Sequence, residues 1–139
     1  MSAAFSSGGL KVVSASYDET VRVWSVATRD CEQTMEGHTG TVFSAAFSPD
    51  DMKVVSASGD KTIRLWSAVS GDCEQTLRGH TDYVMSAEFS PEGRQIVSGS
   101  RDETVRVRDA ATGESRQALA GHTGRVASAQ FGPEPSPED

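Results

Sequence analysis

Apolar and polar residues alternate along most of the chain in short runs separated by turn-forming clusters. Residues 37 to 78 show the pattern once through. Thr41 to Phe47 alternates around Val42, Ser44 and Ala46. Thr62-Ile63-Arg64-Leu65-Trp66 and Cys73-Glu74-Gln75-Thr76-Leu77 alternate with period two, as half-buried strands do. Lys53 to Ser58, carrying Val54 and Val55, is a further strand-length run. Between the runs lie Gly37-His38-Thr39-Gly40, Ser48-Pro49-Asp50-Asp51, Gly59-Asp60-Lys61 and Ser70-Gly71-Asp72. Proline presets φ at the second turn position and Asp or Ser caps the local backbone. Four short strands joined by three tight turns predict one antiparallel meander.

The meander recurs. Gly-His stands at residues 37–38, 79–80 and 121–122, at a step of 42 residues, and Asp18, Asp60 and Asp102 keep that step. So do Phe5, Phe47, Phe89 and Phe131. Trp24 and Trp66 follow, with Arg108 where a third Trp would stand. A period near 40 marks an architecture in which each unit buries its apolar face only against its neighbours. The reading is an all-β chain of four-stranded propeller blades, three per chain plus one extra C-terminal strand. Its units are a first blade that starts late (1–36), a second (37–78), a third (79–120), an extra inner strand (121–131) that closes a neighbouring blade, and an acidic, Pro-rich tail (132–139) expected to be disordered.

Composition narrows the function classes. Among 139 residues, 13 Lys and Arg face 20 Asp and Glu, for a net charge of −7. This disfavours a phosphate backbone as partner, which needs clustered cations. No apolar run approaches the ~20 residues that span a bilayer, and no secretory leader is visible. Cys31 and Cys73 occupy equivalent places in successive units, with Ser115 third in line. They read as reduced thiols of an intracellular, cytoplasmic protein rather than as a metal site. No metal, cofactor or catalytic residue is expected. Ser, His and Asp recur in periodic copies, whereas a hydrolytic triad needs one specific geometry, and no Gly-x-Ser-x-Gly turn is present.

The strings Gly-His, Phe-Ser-Pro-Asp and Val-Val-Ser-Ala-Ser-Gly-Asp-Lys-Thr-Ile-Arg-Leu-Trp, in register through the chain, resemble the WD-repeat family of β-propellers. The resemblance implies a buried hydrogen-bonded chain in each blade. It would comprise His38, Ser56 or Ser58, Asp60 and Trp66 in blade two, and His80, Ser98 or Ser100 and Asp102 in blade three. Asp18 and Trp24 would serve blade one, with His122 supplying a neighbour. The Trp-Asp dipeptide that names the family is absent: Trp24-Ser25 and Trp66-Ser67 replace it, and Arg108-Asp109 keeps only the Asp. Independently of the family, a buried Asp needs donors and an indole N–H needs an acceptor, so the repeated residues are structural.

Positions that break the repeat are the candidates for binding. Tyr17, Gly59 and Arg101 precede the repeated Asp; Thr41, Tyr83 and Arg125 precede the first strand's Val. Tyr and Arg are enriched at interface hot spots. Tyr17, Thr41, Tyr83, Arg101 and Arg125 are therefore the expected contacts of a protein or peptide ligand on a non-catalytic interaction scaffold. The alternative is a purely structural oligomerisation unit, or a fragment of a longer propeller protein. Propellers have roughly 4–8 blades, and here each end of the chain lacks what the other has. Head-to-tail association is expected, with a six-bladed dimer favoured and a nine-bladed trimer as alternative; residues 125 to 131 would then enter the slot for which Met1 to Phe5 competes.

Overall fold

The computed structural model describes residues 2–121 and 124–132. The expectations for His122 and for most of the acidic tail lie outside those residues. Twelve strands form three separate four-stranded antiparallel sheets in simple meander order. Sheet one contains β1 (Ala3–Phe5), β2 (Lys11–Ala15), β3 (Val21–Ser25) and β4 (Cys31–Met35). Sheet two contains β5 (Val42–Phe47), β6 (Lys53–Ser58), β7 (Ile63–Ser67) and β8 (Cys73–Leu77). Sheet three contains β9 (Val84–Phe89), β10 (Gln95–Ser100), β11 (Thr104–Asp109) and β12 (Ser115–Ala120). The sheets are the propeller blades that the alternation predicts. The registers step by 42: Phe5 pairs with Val12, Phe47 with Val54 and Phe89 with Ile96.

The turns repeat as faithfully as the strands. Glu19, Lys61 and Glu103 take φ of 74°, 73° and 74°, each after the repeated Asp. The Asp carboxylate compensates for the left-handed residue by accepting the amide of Thr20, Thr62 or Thr104 across it at 2.9–3.0 Å. Gly79, at φ 138°, shows why glycine precedes the histidine: a Cβ there would lie 2.5 Å from the Arg108 guanidinium.

The core lies between blades rather than within them. Val13, Val21, Val23 and Met35 of blade one pack against Val42, Ala45, Val54 and Trp66 of blade two. Val55, Ile63, Leu65 and Leu77 of blade two pack against Val84, Ala87 and Ile96 of blade three. Side chains on both faces of the middle sheet are thereby buried.

At the start of the chain, β1 completes blade one, although it has three residues where β5 and β9 have six. The segment expected as the extra strand, Arg125 to Phe131, lies against blade three where the inner strand of a further blade would begin, and forms no ladder there. The amide of Val126 donates to the Ser100 carbonyl at 2.8 Å, as Val42 does to Ser16 at 3.0 Å. That of Ala129 donates to Ser86 Oγ at 3.1 Å, as Ala45 and Ala87 do to Ser2 and Ser44 at 3.2 Å. No second strand lies beside it among the described residues.

Candidate partner-binding site

Beneath the turn clusters of blades two and three lies a buried polar chain. In blade two Trp66 Nε1 donates to Ser56 Oγ at 2.8 Å, Ser56 Oγ lies 2.6 Å from His38 Nε2, and His38 Nδ1 lies 2.8 Å from Asp60 Oδ2. Thr62 Oγ1 and the Thr39 amide also donate to Asp60, at 2.6 and 3.1 Å. An ionised Asp60 accepts at one end of the chain and the Trp66 indole donates at the other. His38 Nδ1–H donates to the carboxylate, and the Ser56 hydroxyl, which accepts the indole N–H, links Trp66 to His38 Nε2. Burial pushes the Asp60 carboxyl up, but the hydrogen bonds from His38 and Thr62 outweigh it, and the net displacement is well below the ordinary carboxylate range.

Of the two serines left open by the sequence, Ser56 is the member of this chain. Ser58 instead accepts the Asp60 amide at 3.1 Å and donates to the Gly40 carbonyl, tying the turn below. Blade three repeats the arrangement with Ser98: His80 lies 2.8 Å from both Asp102 Oδ2 and Ser98 Oγ. Ser100 holds the turn, as Ser58 does. Arg108 replaces the indole, is 6% exposed, and donates to the carbonyls of Arg78 and Gly113 rather than to Ser98. Burial lowers the His80 pKa below the ordinary imidazole value; Asp102 opposes this, and the nearby Arg106 and Arg108 add to it. In blade one Trp24 donates to Ser14 at 3.0 Å, while Asp18 is half-exposed and bonded to Thr20. In blades two and three these residues are buried and hold the inter-strand turns in place from within.

What they hold is an arc of turn residues that differ from blade to blade. Along it the order is Tyr17, Thr41, Gly59, Tyr83, Arg101 and Arg125. Neighbours are linked through the backbone: the Gly59 amide donates to the Thr41 carbonyl at 2.8 Å and the Arg101 amide to the Tyr83 carbonyl at 2.9 Å. The structure brings the middle members into contact. The Arg101 guanidinium lies 5.0 Å from the centre of the Tyr83 ring, and that ring lies 5.8 Å from the ring of Phe43. Gly59 makes room for both rings, since a Cβ there would already touch Phe43 at 3.4 Å and Tyr83 at 3.6 Å. No carboxylate pairs with Arg101 among the described residues. Tyr17 is 73% exposed and Arg125 is exposed, each standing apart from this stack; Thr41 is half-buried and contributes its carbonyl.

Phe43 was not among the expected contacts. Its signal was present: it stands where the later units carry Met85 and Ala127, so it too breaks the repeat. At the opposite end of the blades Phe5, Phe47, Phe89 and Phe131 line one cavity of about 380 Å³ with Pro49 and Pro91. They keep the 42-residue step and so belong to the scaffold.

A 35-residue stretch, 25% of the chain, is 51% identical to part of the rice (Oryza sativa subsp. japonica) zinc finger CCCH domain-containing protein 17, and the match spans 8% of that protein. The family described as WD domain, G-beta repeat, matches residues 1–25, 29–67 and 71–109. With three matches in register over three four-stranded blades, the chain belongs to the WD domain, G-beta repeat family.

Proposed function

We propose that the protein is a non-catalytic protein–protein interaction scaffold that holds a protein or peptide ligand across the arc of Tyr17, Thr41, Tyr83, Arg101 and Arg125, with Phe43 as an added contact. WD repeats generally mediate protein interactions. One observation carries the reading for this chain: Phe43, Tyr83 and Arg101, from two blades, depart from the repeat and stack on one another. A half-open aromatic surface with a guanidinium that no carboxylate pairs among the described residues is hot-spot chemistry, worth about 0.5–1 kcal/mol for the exposed cation–π contact alone. The net charge of −7 favours a polypeptide over a nucleic acid. The proposed setting is intracellular, away from membranes. The platform is a ring completed by further copies of the chain, a six-bladed dimer before a nine-bladed trimer.

Capture of partners from a cell lysate tests the ligand site. Substituting Tyr83→Ala and Arg101→Ala together should remove specific partners while lowering the melting temperature by no more than a few degrees, because the surface stack is lost but the buried chain is intact. An identical captured set with wild-type and variant would contradict the platform. It would favour the second reading, a structural assembly unit, which the partly uncovered face of blade three supports.

A further inference from the structure

Each blade buries one face beneath the next. In blade one Val21, Val23 and Met35 are at most 1% exposed. Their counterparts in blade three are not covered: Val105 and Val107 are half-buried and Leu119 is 49% exposed. The opposite face of blade one is equally bare. Val54 and Ala68 of blade two are buried under blade one, but their counterparts Val12 and Val26 are half-buried and 47% exposed. A polar contact at the joint follows suit. Gln33 donates to the Val69 carbonyl at 2.7 Å and Gln75 to the Ala111 carbonyl at 3.1 Å, while Gln117 is exposed with no acceptor among the described residues.

We propose that a second copy of this chain covers the open face of blade three through a strand exchange: residues 125–131 of one copy replace β1 in blade one of the partner. This rests on the ring reading above. The occupant follows from the chain's own repetition, since the joint of blades one and two recurs between blades two and three, and the two open faces are its two halves. Residues 125–131 already make the inner-strand contacts through Val126 and Ala129. The slot they would enter is held by a strand of only three residues, with Phe5 68% exposed. Stepping the β1 register by 42 gives the pairing: Ala129 opposite Ser14 of the partner, Gln130 opposite its Val13 and Phe131 opposite its Val12. Gln117 would then donate to the carbonyl of Ala27 in the partner. The exchange releases three paired residues and gains a longer ladder, leaving the Val126–Ser100 bond in place.

The test is a disulfide between copies. In a Cys31→Ser, Cys73→Ser background, Val12→Cys and Phe131→Cys together should give, on mild oxidation at micromolar concentration, a covalent species of at least twice the 14.8 kDa chain mass on a non-reducing gel. Either cysteine alone should not. Directly opposed residues in antiparallel strands bring Cβ atoms about 4.5–5.5 Å apart, within the reach of slight adjustment to disulfide geometry. Light scattering on the reduced protein separates the two claims. An oligomer without the disulfide overturns the exchange and leaves the ring; a monomer overturns both. Deleting residues 2–6 gives an independent arm. Exchange predicts that the oligomer persists at several-fold lower protein concentration, because the competitor is gone. Loss of the oligomer in a variant that still melts cooperatively overturns it.

Discussion

Asp60 shows how one carboxylate organises a turn. It accepts from His38, Thr62 and the Thr39 amide while partly shielded from water, so removing it leaves several donors without an acceptor. Each unmet buried group costs about 1–3 kcal/mol. For the buried His38 donor alone, Asp60→Ala should therefore lower the melting temperature by roughly 4–12 °C, on a scale of about 4 °C per kcal/mol for a chain of this size; a calorimetric scan checks it. The same groups set a pH dependence. His80 is held below the ordinary imidazole pKa of 6.5, so the unfolded chain binds that proton more readily than the folded one. Its contribution is fully present above pH 6.5 and is lost as pH falls. Asp60 and Asp102, whose folded pKa values lie below 3.8, act in the same direction at lower pH. Melts at pH 7.5 and 5.5 should show lower stability at the acid value; a rise would contradict the neutral, buried His80. At this scale His38, Asp60 and Trp66 were legible from their fixed spacing. The choice between Ser56 and Ser58 was not, because both lie on the same side of one strand. Only the height of the His38 ring along β6 decides which hydroxyl it meets.

At the scale of elements, the strands followed from alternation and turn chemistry to within two residues. Cys31–Met35, Lys53–Ser58 and Gln95–Ser100 fall where the pattern puts them. Strand membership of residues 125–131 was less legible, because pairing needs a neighbour that alternation does not supply. Phe43 was passed over because it sits inside a strand, while the candidates were sought in turns. Blade three carries the element-level departure. Arg108 fills the place of an indole, its Nε has no hydrogen-bond partner, and burial beside Arg106 lowers its pKa. A buried cation without a counter-charge is a net cost. Arg108→Trp should stabilise by about 1–2 kcal/mol through apolar burial and a donor for Ser98. Amides of Thr104 to Val107 in the wild type should exchange faster than those of Thr62 to Leu65. Equal protection of the two segments would show that the two carbonyl acceptors suffice.

For the whole molecule, the repeat specifies one joint and uses it twice among the described residues, and the proposed ring uses it again between copies. That ring would bury the apolar surface left partly uncovered on blade three and on blade one. A heterologous joint of this kind closes a ring when its rotation allows. Removing residues 121 to 139 takes away the segment seated against blade three, and should leave a folded monomer. Closure also bears on binding, since each copy would bring its own Tyr83 and Arg101 to the same end of the ring and raise apparent affinity for a ligand able to span them. The most direct measurement is the solution mass of the intact chain by sedimentation equilibrium across micromolar concentrations. The account predicts a closed species of twice the 14.8 kDa chain mass, with three times as the alternative ring. A stable, cooperatively folded monomer throughout that range would contradict it.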